Sequence, residues 1–317
     1  MNRPRVSIII PVYNGKDLIE ECLDSILALK YSDWECIIVD DGSTDGSDKI
    51  LEEFVEKVHI ANKFHIKHQN NYGVSTARNA GLDLACGEWV CFVDIDDSLS
   101  DNFLNINDFK RNAELIVKNF QYKNRKDKYH QLIEGIYTGE NLNTLLSKSL
   151  FLSHFLCPWT KLFRREIIER QHIRFNPKYK FGEDTLFVES YLKHVKTLYV
   201  SPEGHYLYMV SPYNKYIFPI SKAIEYMQDF ADVFFSLRIR CPEMARCVLI
   251  WHSGFSTDFH GLNKLRWYCD PAVNKLYRHA YRLFPASMRA KIWVFTLLSF
   301  FRIKHIMKNL NYRPYLV

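Results

Sequence analysis

The sequence predicts an α/β protein, a doubly wound and mostly parallel sheet continued by a helical C-terminal region. Three observations predict it. Short β-branched runs alternate with segments of helical period over the first 95 residues, each run ends in polar or acidic residues, and from about Ser221 the pattern turns helical and aromatic without strand signals. Alternation of this kind gives parallel strands with helices on both faces.

The elements follow in order. "VSIIIPV" (6–12) and "WECIIVD" (34–40) are strands, and between them Leu18, Cys22, Leu23, Ile26 and Leu27 recur at helical spacing, with Asn14 available as N-cap. "SDKILEEFVEKV" (47–58) is a helix and "FHIKH" (64–68) a strand. "VSTARNAGLDLAC" (74–86) is a helix closed by Gly87, and "EWVCFVD" (88–94) is the fourth strand. Beyond Asp97, "AELIVKNFQY" (113–122) reads as a strand, "KNRKDKYH" (123–130) as an exposed charged turn and "GENLNTLLSKSLF" (139–151) as an amphipathic helix. The segments 158–170 and 181–194 and the strand-like runs "TLYVS" and "YLYMV" complete this part. A turn-rich stretch, "SPYNKYIFPIS", divides residues 1–217 from a basic helical region, 218–317.

With 317 residues, 47% of them hydrophobic, the chain can bury a full core. Its eight cysteines include no CxxC pair and several sit in apolar runs, which suits a reducing compartment. The N-terminus shows no secretion signal, and the longest uncharged apolar run, "IWVFTLLSFF" (292–301), has half the roughly 20 residues a spanning helix needs. A cytoplasmic protein is expected. Residues 271–317 hold nine Lys or Arg and no Asp or Glu, so the net charge of +6 leaves residues 1–270 at −3. An acidic main part without a recognition helix or zinc module argues against a nucleic-acid partner.

In open α/β sheets, ligands bind outside the carboxyl ends of the strands. Here those ends read "PVYNG", "VDDGSTDGS", "HQNNYG" and "VDIDDS", so Tyr13, Asp40, Asp41, Asn71, Asp94, Asp96 and Asp97 share one rim. Three like charges within four residues repel unless a counter-charge is present. A hard divalent cation, Mg²⁺ or Mn²⁺, held by one or two carboxylates with water and phosphate, removes the difficulty. A solvated acidic turn is the plainer reading of any lone Asp-x-Asp.

"VSIIIPVYNGKDLIEECLDSIL", "IIVDDGSTDGS", "NNYGVSTARNAGL" and "GEWVCFVDIDDS", in this order, resemble the family 2 glycosyltransferases, inverting enzymes of the Rossmann-like GT-A fold. "KLFRRE" and "FGEDTLF" extend the likeness to about residue 190, within the capsule and exopolysaccharide branch. The resemblance implies a hexosyltransferase-type enzyme that uses a nucleotide-diphosphate sugar, UDP-linked by expectation, with Mn²⁺ or Mg²⁺. It implies that Pro11, Val12 and Tyr13 line the nucleobase pocket, that Asp41 accepts a hydrogen bond from the base, and that Asn71 and Arg78 complete the pocket. Arg78 would reach a base carbonyl or a phosphate; the competing reading is an arginine on the helix surface. Asp94 would bind ribose and Asp96 the metal, with Asp97 joining the metal shell or capping the next turn. Asp184 matches the family's base, which takes the acceptor's proton, while Glu183 suits a carboxylate that complements a helix dipole. Trp159 and Lys161 match the branch pattern without a settled role, and His205, as a lone histidine, is better read as core or surface than as a metal ligand.

The acceptor implied is a glycan or a lipid-diphosphate-linked glycan. The stretch "RAKIWVFTLLSFFRIKHIMKNLNYR" (289–313), apolar with flanking cations, has the composition of a segment lying on an anionic membrane, so peripheral contact through 271–317 is expected. Two other functions compete. A sugar-1-phosphate nucleotidyltransferase would open with a glycine-rich basic loop where this chain has "PVYNGKD". A non-catalytic scaffold of a polysaccharide assembly complex would not need the full set of carboxylates that the chain keeps.

Overall fold

The computed structural model describes residues 3–124, 132–147, 157–180 and 182–209. The region 218–317, its boundary near 215–220, most of the charged turn 123–130 and the end of the helix predicted to 151 lie outside the described residues.

Strand β1 (Val6–Val12) is buried along its whole length and pairs in parallel with β2 (Trp34–Asp40) on one side and β4 (Trp89–Phe92) on the other. Its alternation divides two cores. Val6, Ile8, Ile10 and Val12 face the cluster formed with helix α1 (Ile19–Leu27) and with Leu51 of helix α2 (Ser47–Lys57). Ile9 faces helix α3 (Val74–Leu84), which approaches so closely at Gly81 that there is no room for a Cβ. Each fully buried isoleucine contributes about 1.5–3 kcal/mol, so a one-residue slip of β1 would exchange the two faces and lose both cores.

Strand β3 (Phe64–His68) closes one edge beyond β2, giving the parallel order β3-β2-β1-β4. The chain adds strands on one side of β1 and then returns to add β4 on the other. The order therefore reverses between β1 and β4, and there the connecting loops separate into a crevice.

Past β4 the sheet becomes mixed. It continues through β8 (Lys161–Arg164), β6 (Leu115–Tyr122), β9 (Thr197–Tyr208) and β5 (Ser98–Leu99), with β7 (Gly135–Thr138) paired to β9. Among the described residues, six of nine strands run in the same direction, and β5, β7 and β8 oppose them. Helices α4 (Ile106–Phe109), α5 (Gly139–Ser147), α6 (Arg165–Arg170) and α7 (Glu183–Leu192) complete the described elements. None of these helices is long and apolar enough to cross a membrane.

Local details depart from the sequence reading. Asn14 does not cap α1, whose N-cap is Leu18; with φ at 50° it turns the chain, and its Oδ1 accepts from Thr44 N at 2.8 Å. Gly87 does not close α3, which ends at Leu84 with Ala85 as its C-cap. A Cβ on Gly87 would lie 2.5 Å from Ser7 N, so glycine here permits close approach to β1. The two runs read near 200 are one strand, β9, with a bulge over 201–204 where β6 advances two residues and β9 five. The buried Lys118 fills that bulge, its Nζ donating to Glu203 O at 2.8 Å, Ser201 Oγ at 3.1 Å and Asp108 Oδ2 at 2.5 Å. The cation thereby finds the partners that a buried charge requires.

Candidate active site

The loops at the carboxyl ends of β1, β2 and β3 are tied together. Asn14 N donates to Ser43 Oγ at 2.9 Å and Gly15 N to Ser47 Oγ at 3.0 Å, joining the first two. Asp41, buried just past β2, accepts from Gln69 Nε2 at 2.7 Å and Tyr72 N at 3.0 Å on one oxygen, and from Gly73 N at 2.8 Å on the other. Gly42 has φ at 75°, and a Cβ there would meet Asn71 N at 2.7 Å, so glycine sets how closely the third loop approaches. Asn71 is exposed on that loop. Pro11 and Val12 are buried inside β1, whereas Tyr13 is 51% and Tyr72 63% exposed. Large aromatics left in water while apolar neighbours are buried present flat faces to a ligand. Tyr72 is absent from the sequence prediction; its signal is an aromatic at a strand-end turn.

Asp94, Asp96 and Asp97 follow β4, on the other side of the crevice. They divide into different environments. Asp97 is 1% exposed and turned toward β9, with Oδ2 accepting from Tyr206 O–H at 2.7 Å and Oδ1 from Met209 N at 2.7 Å. Burial, then Asp94, pushes its pKa up to about 8 against the lowering effect of those donors. Tyr206 O–H also accepts from Asp94 N at 3.1 Å, and Trp159 stacks on the rings of Tyr206 and Tyr208, each at 5.1 Å. Trp159 thus supports the acidic loop from below. The tyrosines of "HYLYM" are a signal the sequence reading passed over.

Asp94 and Asp96 are half-buried. Burial, then Asp94, raises Asp96 above the usual carboxylate range. Among the described residues no three His, Cys, Asp or Glu side chains form a group able to hold a metal alone. The donor set fits a hard divalent cation in a different manner: one carboxylate, Asp96, beside Asp94 and offset only in part by Lys123, with water and phosphate oxygens as the other ligands.

Arg78 of α3 is 4% exposed and lies between two elements distant in sequence. Its Nη2 donates to Asp94 Oδ1 at 2.8 Å and its Nη1 to Asp184 Oδ1 at 2.5 Å, with Glu183 Oε1 at 3.6 Å. Burial alone would lower the Arg78 pKa, but Asp184, then Asp94 and Glu183, raise it above the arginine range. Asp184 and Glu183 begin α7, after Gly182 at φ 83°. Burial raises the Asp184 pKa while Arg78 lowers it, and burial, then Asp184, pushes Glu183 up to about 8. Glu183 is therefore a buried partner of this cluster and more than an exposed helix-dipole carboxylate.

Lys161 is fully buried. Its Nζ donates to Cys157 O at 2.7 Å, and burial lowers its pKa to about 7 while Asp184 opposes that shift. His205 has its pKa lowered by burial and then by Lys118, a cationic neighbourhood that disfavours a divalent ion.

Carboxylates and exposed aromatics gathered outside the strand ends, at the reversal of strand order, define an α/β protein built to bind a ligand in that crevice. The chain belongs to glycosyl transferase family 2, whose family model matches residues 7–171. It is 31% identical over 229 residues to the uncharacterized glycosyltransferase EpsJ of Bacillus subtilis, covering 70% of this chain and 66% of that protein. It is 34% identical over 221 residues to the poly(ribitol-phosphate) beta-glucosyltransferase of Bacillus spizizenii, covering 65% of this chain and 32% of that one. The alignments thus span two thirds or less of these relatives' own length. Among solved structures, S. aureus TarS 1–349 in complex with UDP-GlcNAc superposes with a TM-score of 0.67 at 20% identity, over 90% of this chain and 85% of that one. That likeness establishes the fold.

Proposed function

We propose that the chain is a metal-dependent inverting glycosyltransferase that moves a sugar from a nucleotide-diphosphate donor, UDP-linked, to a hydroxyl of a glycan or lipid-linked glycan in surface-polysaccharide synthesis. The observation that carries this reading is the pairing, across one arginine, of a donor-side carboxylate at the end of β4 with a carboxylate at the start of α7. The UDP-GlcNAc complex of the structural neighbour and the polymer named for the Bacillus spizizenii relative support the donor and acceptor classes.

In this reading Tyr13 offers its exposed face to the nucleobase above Pro11 and Val12, while Asp41 fixes the loop that carries Asn71 and faces the base edge. Asp94 receives the ribose hydroxyls. Asp96 would hold Mn²⁺ or Mg²⁺, which when bound would supply Lewis-acid stabilisation of a diphosphate leaving group. Asp97, tied to Tyr206 and Met209, anchors the loop from behind. Asp184 takes the proton from the acceptor hydroxyl as its oxygen bonds to the anomeric carbon and the bond to the diphosphate breaks, which inverts that centre. The reaction belongs to the cytoplasm, with residues 271–317 in peripheral contact with the inner face of the membrane; the support is their nine cations without an acid.

Thermal stabilisation tests the donor class. UDP with Mn²⁺ is expected to raise the melting temperature, by about 2.7 kcal/mol of linkage at a hundredfold excess over Kd, whereas GDP, CMP and CDP leave it unchanged. Asp96→Ala is expected to abolish the Mn²⁺-dependent part. Stabilisation by another nucleotide, or by UDP equally without metal and in the variant, would overturn the donor and metal assignments.

A further inference from the structure

We infer that Arg78 and Asn79, neighbours on α3, are positioning residues that hold the base Asp184 in register with the donor site, and that Arg78 is not a nucleotide contact. The inference rests on the reading of Asp184 as base and Asp94 as a donor-side group.

The geometry commits the arginine. Its two terminal nitrogens bond one oxygen each of Asp184 and Asp94, carboxylates from α7 and from the end of β4, so one rigid plane sets the separation of two side chains 90 residues apart in sequence. A lysine, a single point charge, cannot define that plane. The guanidinium lies over the Phe175 ring at 5.2 Å, and Nε, buried, has no hydrogen-bond partner among the described residues. The side chain is thus held by carboxylates at its tip and by an aromatic face.

Asn79 fixes that face. Its Nδ2 donates to Phe175 O and its Oδ1 accepts from Phe175 N, both at 2.8 Å, a reciprocal clamp that ties the backbone before α7 to α3. Phe175 in turn stacks on Phe187 with ring centroids 4.0 Å apart and planes 1° apart. Phe187 is one turn beyond Asp184 on α7, so the clamp governs where the helix presents its carboxylate. Asn79 and Arg78 therefore reach the base by two independent routes, one through Phe175 and one through the carboxylate itself. Misplacement of a reacting group by about 1 Å can cost on the order of a hundredfold in rate.

The test uses the full chain, the UDP-sugar identified by product formation, and calorimetry with UDP and Mn²⁺. Asn79→Ala is expected to lower kcat by about 10- to 100-fold with donor KM and UDP affinity unchanged; Arg78→Met is expected to lower kcat at least as much, with a smaller rise in donor KM because Asp94 loses its partner, and Arg78→Lys to recover part of the loss. In an Asp184→Asn background, Asn79→Ala should cause no further loss, because a base that is gone cannot be misplaced. A general loss of structure would lower kcat by the same factor in both backgrounds. If Arg78→Met misfolds, Arg78→Lys and Asn79→Ala still decide the matter. A fall in UDP affinity with kcat retained would return Arg78 to the nucleotide pocket and overturn the inference, as would Asn79→Ala with wild-type kcat. Activity persisting in Asp184→Asn alone would instead overturn the reading of the base.

Discussion

Asp96 and Asp97 are adjacent in sequence and opposite in circumstance, because Asp96 lies in the turn that Asp97 N closes on Asp94 O at 3.0 Å, and Asp97 follows it into the interior. Asp96 is left beside Asp94 with Lys123 offsetting the repulsion only in part, whereas Asp97 is enclosed with two donors. Among the described residues the Tyr206 hydroxyl is the side-chain donor to that buried carboxylate, and hydrogen bonds to charged groups are worth about 1.5–3 kcal/mol. Tyr206→Phe is therefore expected to destabilise the protein by about that amount in urea unfolding above pH 8, where Asp97 is charged. The pH dependence has a definite sign. The wild-type Asp97 pKa, pushed up to about 8 by burial and then by Asp94, rises further when the donor is removed. The stability difference between wild type and variant should then widen as pH rises through 8 and narrow toward pH 6. A difference independent of pH would mean that the hydroxyl matters through packing and the bond it accepts from Asp94 N, not through Asp97.

At the scale of elements, the first 95 residues were legible because each strand is short, β-branched and closed by turn residues, and each helix keeps a 3.6-residue period. The rim of carboxylates followed from the strand ends. The Arg78 pairing with Asp184 was not legible, since the partners are 106 residues apart and neither motif encodes the other. Nor was the β9 bulge, because a lysine inside a strand reads as a solvent-facing residue until Asp108, Ser201 and Glu203 converge on it. A second buried-to-surface link joins β2, α2 and β3: the His68 ring nitrogens lie 3.0 Å from Asp40 Oδ2 and 3.0 Å from Glu52 Oε1. Both contacts are donated together only by the imidazolium, and hydrogen bonding to Asp40, then to Glu52, raises the His68 pKa. A histidine whose folded pKa is raised contributes stability that is fully present below its unfolded value of about 6.5 and is lost as pH rises through the folded value. His68 is partly exposed, so solvent limits the effect to about 1 kcal/mol or less. His68→Gln should be less stable than wild type at pH 5.5 and indistinguishable from it at pH 8.5; equal stability at both would show that the clasp contributes nothing.

For the whole molecule, the distribution of charge matters more than its sum. A net −3 over residues 1–270 and nine uncompensated cations over 271–317 give the chain two segments that an anionic membrane would treat differently. Each Lys or Arg near such a surface contributes about 1 kcal/mol, within a Debye length of about 10 Å at 0.1 M salt. An acceptor carried on a lipid diphosphate would then be met by an enzyme already held at its surface, which raises the effective concentration of acceptor without any additional contact at the catalytic rim. The full chain is expected to float with anionic vesicles at low ionic strength, to be released at about 0.5 M salt, and to ignore neutral vesicles. Replacing Lys291, Arg302, Lys304 and Lys308 together by Gln should weaken the association by roughly 4 kcal/mol, about a thousandfold, while leaving the UDP-induced thermal shift unchanged, because those residues lie outside every strand-end loop of the rim. Flotation that resists salt and survives the four replacements would mean that the apolar run 292–301 alone carries the contact, and no flotation of the full chain under any of these conditions would remove membrane association from the account.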